Sequence, residues 1–155
     1  MYKVLLVEDE VVLRATVTEI LELNDFEVMA AESGEMALKI LATYIPDIIV
    51  SDVLMPGMSG FELILKVKKV LDLENIPFIF LSAIAGHEEH EEALKLGACG
   101  FVTKPFRVAN LITIIESNLK RENIENSLNT IQFDTLDIAK RLFPRLHKYK
   151  LEYLI

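Results

Sequence analysis

Five short and almost wholly apolar segments recur along the first 105 residues, and a segment with helical spacing of apolar positions follows each one. Strands that are apolar on both faces are typical of a parallel sheet covered by helices on both sides. The pattern predicts strands at residues 2–7, 27–31, 48–51, 77–81 and 100–103. It predicts helices over 11–24, 34–43, 61–72 and 87–96, and a fifth from about residue 107. This alternation predicts a doubly wound α/β domain with five parallel strands.

Local signals support these boundaries. Ser33 stands where the second helix needs an N-cap, and Gly97 stands where the fourth helix needs a residue with left-handed backbone conformation. The expected strand order is 2-1-3-4-5, that of flavodoxin-like proteins. Ligands of such sheets bind beyond the carboxyl ends of the strands, so the chemistry is expected at that edge.

Polar side chains follow four of the five predicted strands at that edge. Glu8 and Asp9 follow the first strand, Asp52 ends the third, Ser82 follows the fourth, and Lys104 follows the fifth. Three ionised carboxylates in one crevice repel one another, and a hard cation relieves this repulsion. Oxygen ligands favour Mg²⁺ over zinc or a softer metal. An Mg²⁺ ion and a lysine together suit a phosphoryl group, with Asp52 as its nucleophile.

Each of these residues also has an ordinary structural interpretation. Acids cap helices, a serine often ends a strand, and a lysine before proline often lies in a turn. The functional interpretation rests on their coincidence, because four strands end in complementary groups at one predicted crevice.

Composition narrows the possible functions. The chain has 155 residues, of which 52% are hydrophobic, so it can bury a sizeable core. The formal net charge of -8 argues against binding to nucleic acid or to an anionic membrane. Cys99 is the single cysteine, which excludes an intrachain disulfide and fits a reducing cytosol. The sequence shows neither a signal peptide nor a membrane helix of about 20 apolar residues, so a cytoplasmic protein is expected.

Four motifs give the sequence a family resemblance. They are VEDE at 7–10, SDVLMPGMSG at 51–60, LSA at 81–83 and VTKPF at 102–106. The chain resembles the response-regulator receiver domains of two-component signalling over residues 1–121. The resemblance implies that Asp52 accepts a phosphoryl group from a histidine kinase or a histidine phosphotransfer protein. Such a domain is a signalling phosphoacceptor rather than an enzyme, although it assists its own phosphorylation and dephosphorylation.

The resemblance also assigns roles to the surrounding residues. Glu8, Asp9, Asp52 and the backbone carbonyl of Leu54 would hold Mg²⁺. Lys104 would contact the phosphoryl oxygens, and its peptide bond to Pro105 would be cis.

A conformational switch is implied as well. Ser82 would hydrogen-bond the phosphoryl group, and Phe101 would turn inward as the switch aromatic. The surface of the fourth helix, fifth strand and fifth helix would then be read by a partner or a second copy. Phe101 is equally well explained as a core residue of the fifth strand. Leu54 and Ile84 occupy positions that tune hydrolysis in the family, and neither can orient water, so the phosphoryl group is expected to be long-lived.

The same residues bear on three rival functions. A flavin-binding carrier would need a hydroxyl- and glycine-rich loop after the first strand, where VEDE supplies acids instead. An aspartate phosphatase would need a second Asp where Leu54 stands. A vestigial receiver that acts as an unphosphorylated scaffold is the remaining alternative. His87, His90 and Glu91 suggest a metal site, but a solvated helix face is the better interpretation.

Residues 122–155 extend beyond the usual length of such a domain. Ile124, Leu128 and Ile131 have helical spacing and predict a continuation of the fifth helix. Leu136, Ala139, Phe143 and Leu146 form a second stripe, in which Pro144 would kink a helix. This extension is expected to pack on its own domain, to form a homodimer or bind a partner, or to begin a truncated output region. It shows no basic face, so DNA binding within this chain is not expected.

Overall fold

A computed structural model of the chain describes residues 1–84 and 86–142, with side chains up to residue 127. Strands and helices alternate throughout, as the apolar pattern predicts. The strands are β1 (Tyr2–Val7), β2 (Phe26–Ala31), β3 (Ile48–Asp52), β4 (Phe78–Ser82) and β5 (Gly100–Thr103). The helices are α1 (Val11–Leu23), α2 (Gly34–Leu41), α3 (Gly60–Val67), α4 (His87–Lys95) and α5 (Val108–Leu142).

The five strands form one parallel sheet in the order β2-β1-β3-β4-β5, which confirms the predicted fold and strand order. In the register of the sheet, Asp52 lies opposite Leu81, and Ser82 lies opposite Thr103. The polar ends of β3 and β4 therefore lie at the same edge of the sheet, where the end of β1 also lies.

The hydrophobic core has two layers, one on each face of the sheet. Successive residues of β1 alternate between them: Leu5 and Val7 belong to one layer, Val4 and Leu6 to the other. Every residue of β3 and β4 is buried, because helices cover both faces of these central strands. This explains why these strands are apolar up to their polar carboxyl ends instead of alternating.

The helix ends follow recognised hydrogen-bond patterns. The Ser33 hydroxyl accepts a bond from the Met36 amide, which confirms the predicted N-cap of α2. Gly97 has a φ of 95°, and the amides of Gly97 and Ala98 donate to the carbonyls of Leu94 and Ala93, which is a Schellman motif. The sequence prediction of Gly97 as the terminator of α4 is confirmed.

Helix α3 is shorter than the sequence pattern predicts, since it ends at Val67 rather than at residue 72. The Lys68 ammonium donates to the carbonyls of Glu74 (2.8 Å) and Ile76 (3.2 Å) and so stabilises a series of turns after the helix. Val70 and Leu71 keep helical spacing in the sequence but are 46% and 80% exposed. Their spacing therefore does not reflect burial.

Helix α5 continues as one helix to Leu142, which agrees with the predicted continuation through Ile124. Residues Met1–Leu119 form one compact unit, and the second unit begins at Lys120. The predicted kink at Pro144, with the stripe positions Phe143 and Leu146, lies outside the described residues. Among the described residues, every helix is too short or too polar to span a bilayer.

Candidate functional site

The polar residues predicted from the strand ends meet at the carboxyl edge of the sheet. Glu8 and Asp52 are almost wholly buried, with exposed fractions of 1% and 6%, and Ser82 is fully buried. Ligand oxygens of Glu8, Asp9 and Asp52 lie within 4.8 Å of one another. The β1–α1 loop and the end of β3 thus bring three carboxylates together.

The donor set of this cluster fits Mg²⁺. All three groups offer hard oxygen ligands, and a small divalent cation of that kind is bound by a few carboxylates together with water. Two of the carboxylates are buried, where mutual repulsion is least screened by solvent. The cluster therefore has both the ligand type and the excess negative charge that Mg²⁺ requires.

Lys104 supplies the cation of the site. Its Nζ lies 2.8 Å from Oε2 of Glu8 and 2.9 Å from Oδ2 of Asp52, so one ammonium bridges two acids. Burial alone lowers the pKa of Lys104, but the bonds to both carboxylates outweigh burial and raise it above the ordinary value. The lysine is therefore fully charged at neutral pH.

For Glu8, the effect of burial on the pKa outweighs the effect of the hydrogen bonds. Burial raises its pKa above the ordinary value, and the bonds from Lys104 and from the Glu10 amide only partly offset this. Repulsion from Asp52 raises the pKa further. Ionisation of Glu8 in this site therefore costs free energy, and a bound cation would reduce that cost.

Asp52 is placed by the start of the β3–α3 loop. Its Oδ1 accepts a bond of 3.3 Å from the Leu54 amide, while the Val53 amide donates to the Leu81 carbonyl of β4. The loop returns at Gly60, whose amide donates to the Val53 carbonyl at 2.8 Å. A Cβ atom at Gly60 would collide with the Asp52 carbonyl oxygen, so glycine allows α3 to begin directly against the end of β3.

Ser82 and Lys104 are joined through the backbone. The Lys104 amide donates to the Ser82 carbonyl at 2.6 Å, and the Ser82 hydroxyl accepts a bond of 3.0 Å from the Ile84 amide. The Lys104–Pro105 peptide bond is cis. Ser82 therefore lies next to the lysine, at the edge where Asp52 ends β3.

Phe101 is half-buried and packs against the core layer that contains Phe80. Its ring also lies 5.1 Å, between centroids, from the ring of His90 on α4. The core role and the switch role both remain compatible with this position. Nε2 of His87 lies 3.2 Å from Oε1 of Glu91, and the two side chains are 86% and 53% exposed, as expected of a solvated helix face.

The two residues predicted to tune hydrolysis lie beside the site. Leu54 is 55% exposed, and Ile84 is half-buried. The role of the Leu54 carbonyl as a metal ligand stays a prediction.

Sequence reasoning missed two features that shape the site. Ser59 and Glu62 form a capping box at the start of α3, which the spacing Ser-x-x-Glu could have revealed. Arg14 on α1 donates to the backbone carbonyls of Glu8 and Asp9, and no pattern in the sequence signals this contact.

Comparison with known proteins gives consistent results. The sequence of residues 4–116 matches the family model of the response regulator receiver domain. A probable transcriptional regulator, ycf29 of Pyropia yezoensis, is 35% identical over 149 residues, which are 93% of this chain and 66% of that protein. The phosphate regulon transcriptional regulatory protein PhoB of Escherichia coli K12 is 34% identical over 119 residues, covering 77% of this chain and 52% of PhoB. The chain thus spans between about half and two thirds of the length of these relatives.

Solved structures resemble the fold closely. The chemotaxis protein CheY4 of Vibrio cholerae superposes with a TM-score of 0.73 at 32% identity, covering 76% of this chain and 98% of CheY4. The receiver domain of the Francisella response regulator 1452 superposes with a TM-score of 0.74 at 32% identity, covering 79% of this chain and 99% of that domain.

Proposed function

Because the chain belongs to the response regulator receiver domain family, we propose that Asp52 accepts a phosphoryl group from a phosphohistidine and that this chain transmits the resulting change as a signal. The donor is a histidine kinase or a histidine phosphotransfer protein. The observation that carries the proposal is the position of Asp52, buried at the end of β3, bonded to Lys104 at 2.9 Å and grouped with Glu8 and Asp9.

The chemistry is an in-line displacement at phosphorus. A carboxylate oxygen of Asp52 forms the new P–O bond, the P–N bond to the donor imidazole breaks, and the imidazole keeps the electron pair. Glu8, Asp9, Asp52 and the Leu54 carbonyl would hold Mg²⁺, which supplies charge neutralisation to the phosphoryl oxygens. Lys104, already bonded to Asp52, contributes a second positive charge at the same place.

The signal is proposed to pass through Ser82 and Phe101. Ser82 is fully buried, and its hydroxyl accepts a bond only 3.0 Å long from the Ile84 amide. The same hydroxyl can donate its proton to a phosphoryl oxygen, and that bond would draw the β4–α4 loop inward and make room for Phe101. The surface formed by α4, β5 and α5 would then present a new shape to a partner or to a second copy.

A scaffold that is never phosphorylated is the weaker alternative. A vestigial site has no reason to keep two buried acids and a lysine bonded to both, because unpaired or poorly compensated buried charge destabilises a fold. The intact set of Glu8, Asp9, Asp52, Ser82 and Lys104 supports phosphorylation instead.

Intact mass after incubation with Mg²⁺ and acetyl phosphate tests the proposal. The wild-type chain should gain one phosphoryl group, whereas Asp52→Ala and the isosteric Asp52→Asn should gain none. A sizing column run on the same samples reports whether phosphorylation changes self-association. Absence of any mass gain in folded wild-type protein would overturn the proposal in favour of the scaffold.

A further inference from the structure

Arg14 in the first turn of α1 reaches back to the end of β1. Its Nη1 lies 2.8 Å from the carbonyl oxygen of Glu8 and 3.3 Å from that of Asp9. The side chain is partly buried. A single guanidinium therefore contacts the backbone of both members of the acidic pair.

Other bonds restrain this turn, but on different groups. The Glu8 amide donates to the Ala31 carbonyl at 3.0 Å, and the Glu10 amide donates to Oε1 of Glu8 at 3.1 Å. Glu10 is the N-cap of α1 and makes no side-chain capping bond. Among the hydrogen bonds of the described residues, those from Arg14 hold the two carbonyl groups of the acidic pair.

The carbonyls of Glu8 and Asp9 belong to the peptide planes on either side of Asp9. Since a peptide group is planar, fixing both planes fixes φ and ψ of Asp9 and hence the direction of its Cβ atom. Asp9 is only partly buried and depends on its backbone for orientation. Arg14 therefore has the geometry to aim the Asp9 carboxylate toward Glu8 and Asp52.

Charge and geometry predict opposite effects of Arg14 on a bound cation. As a positive charge near the site, Arg14 would weaken Mg²⁺ binding. That effect is only a few-fold at a Debye length of about 8 Å in physiological salt. Loss of a group that orients a metal ligand typically costs about 10–100-fold in metal affinity. On these magnitudes, the loss of ligand orientation should outweigh the loss of repulsion when Arg14 is removed.

We propose that Arg14 is a positioning residue for the Mg²⁺ site and acts by holding the backbone of Glu8 and Asp9. This inference rests on the proposed function. It predicts that removal of the positive charge of Arg14 weakens Mg²⁺ binding. Electrostatics alone predicts the opposite, namely that Mg²⁺ binds more tightly.

The test is a titration of the full chain with Mg²⁺ by calorimetry and with Mn²⁺ by electron paramagnetic resonance. The proteins are wild type, Arg14→Ala, Arg14→Lys and the control Thr16→Ala. Thr16 is an exposed residue of α1 whose hydroxyl bonds only within the helix, to the Val12 carbonyl. Arg14→Ala should weaken both ions by about tenfold, and Thr16→Ala should bind like wild type. The ion affinity of Arg14→Lys should lie between those of Arg14→Ala and wild type, because lysine keeps the charge but has one donor group on a shorter side chain.

Two further readouts separate positioning from a purely structural role. Phosphorylation of Arg14→Ala by acetyl phosphate should be slow at low Mg²⁺ and recover at saturating Mg²⁺. Unfolding midpoints in EDTA report any loss of stability that is independent of the ion. Should Arg14→Ala not fold, Arg14→Lys carries the test through its intermediate affinity.

The outcomes distinguish this inference from the proposed function. Equal or tighter ion binding by the folded Arg14 variants overturns the inference while the proposed function stands. Failure of the wild-type chain to bind either ion overturns the proposed function itself, and the inference with it.

Discussion

The pKa of Glu8 results from opposing effects of burial, hydrogen bonds and neighbouring charges. It is buried, bonded to Lys104 and close to Asp52, and its pKa is raised chiefly by burial. The folded protein therefore binds a proton on Glu8 more tightly than the unfolded chain does. The corresponding stability is fully present below the unfolded pKa of about 4.5 and is lost as pH rises through the folded pKa.

Replacement of Glu8 by Gln removes this titration. In EDTA, the stability of Glu8→Gln relative to wild type should rise with pH above about 4.5, by no more than about 1.4 kcal/mol per pH unit. Urea unfolding of both proteins from pH 4.5 to 7.5 measures the difference. Glu10→Gln is the matched control, because it removes an acid two residues away that is exposed to solvent. A difference that stays constant with pH would show that burial does not raise the pKa of Glu8.

A second prediction at the residue scale is that Leu54 and Ile84 set how long a phosphoryl group on Asp52 would persist. Leu54 is more than half exposed beside Asp52, and Ile84 donates its amide to Ser82. Neither side chain can hydrogen-bond an attacking water, so the phosphorylated wild type should decay slowly. The double variant Leu54→Asn, Ile84→Glu should shorten the lifetime by about tenfold, which is within the range of a positioned polar group.

Decay is followed by intact mass after removal of the phosphodonor. The apolar double variant Leu54→Met, Ile84→Leu controls for changes in packing and should decay like wild type. An unchanged decay rate in the polar variant would refute the assignment of these two positions.

Helix α3 shows how one element places Asp52. Its first residue, Gly60, packs directly on the Asp52 carbonyl and donates its amide to Val53. Gly60→Ala should lower the free energy of unfolding by about 2 kcal/mol, because the added methyl group forces the backbone of the β3 end to move. It should also slow phosphorylation of Asp52.

Ser59→Ala provides the matched comparison at the neighbouring residue. Loss of its cap should cost about 1 kcal/mol without displacing Asp52. Phosphorylation rates, compared under conditions where both variants are folded, separate displacement of the acid from loss of stability. If the two variants react at the same rate, Gly60 serves only the stability of α3.

The elements also show which parts of the structure a sequence can reveal. Buried parallel strands are mostly apolar, so β1, β3 and β4 are visible in the sequence as apolar runs, and the polar residues at or just after their carboxyl ends identify the site. The end of α3 is not visible in this way, because Val70 and Leu71 keep helical spacing while exposed. The contact of Arg14 with the Glu8 and Asp9 carbonyls is also invisible, since one arginine on a helix carries no signal of the backbone it touches.

At the scale of the whole molecule, the buried core of the described residues belongs to the first of the two compact units. Both core layers lie within residues 4–119, and α5 contributes Leu111, Ile115 and Leu119 to one of them. Ile124, further along the same helix, is 60% exposed. We therefore propose a domain boundary near residue 121, with the remaining helix available for self-association or for a partner.

A chain ending at residue 121 tests this boundary. It keeps every buried residue of both core layers, so its free energy of unfolding should lie within about 1 kcal/mol of the full chain, the range of changes that leave the core intact. Its Asp52 should gain a phosphoryl group as the full chain does. A chain ending at residue 110 is the control, because it loses three buried apolar side chains at about 2 kcal/mol or more each and should not fold.

Sedimentation of the two folded chains, with and without acetyl phosphate, then locates any self-association. A dimer present only in the full chain would assign the contact to residues 122–155. A dimer that both chains form only when phosphorylated would assign it to the surface of α4, β5 and α5. Unfolding of the chain ending at residue 121 would contradict the boundary, because the receiver would then depend on the helix beyond its own core.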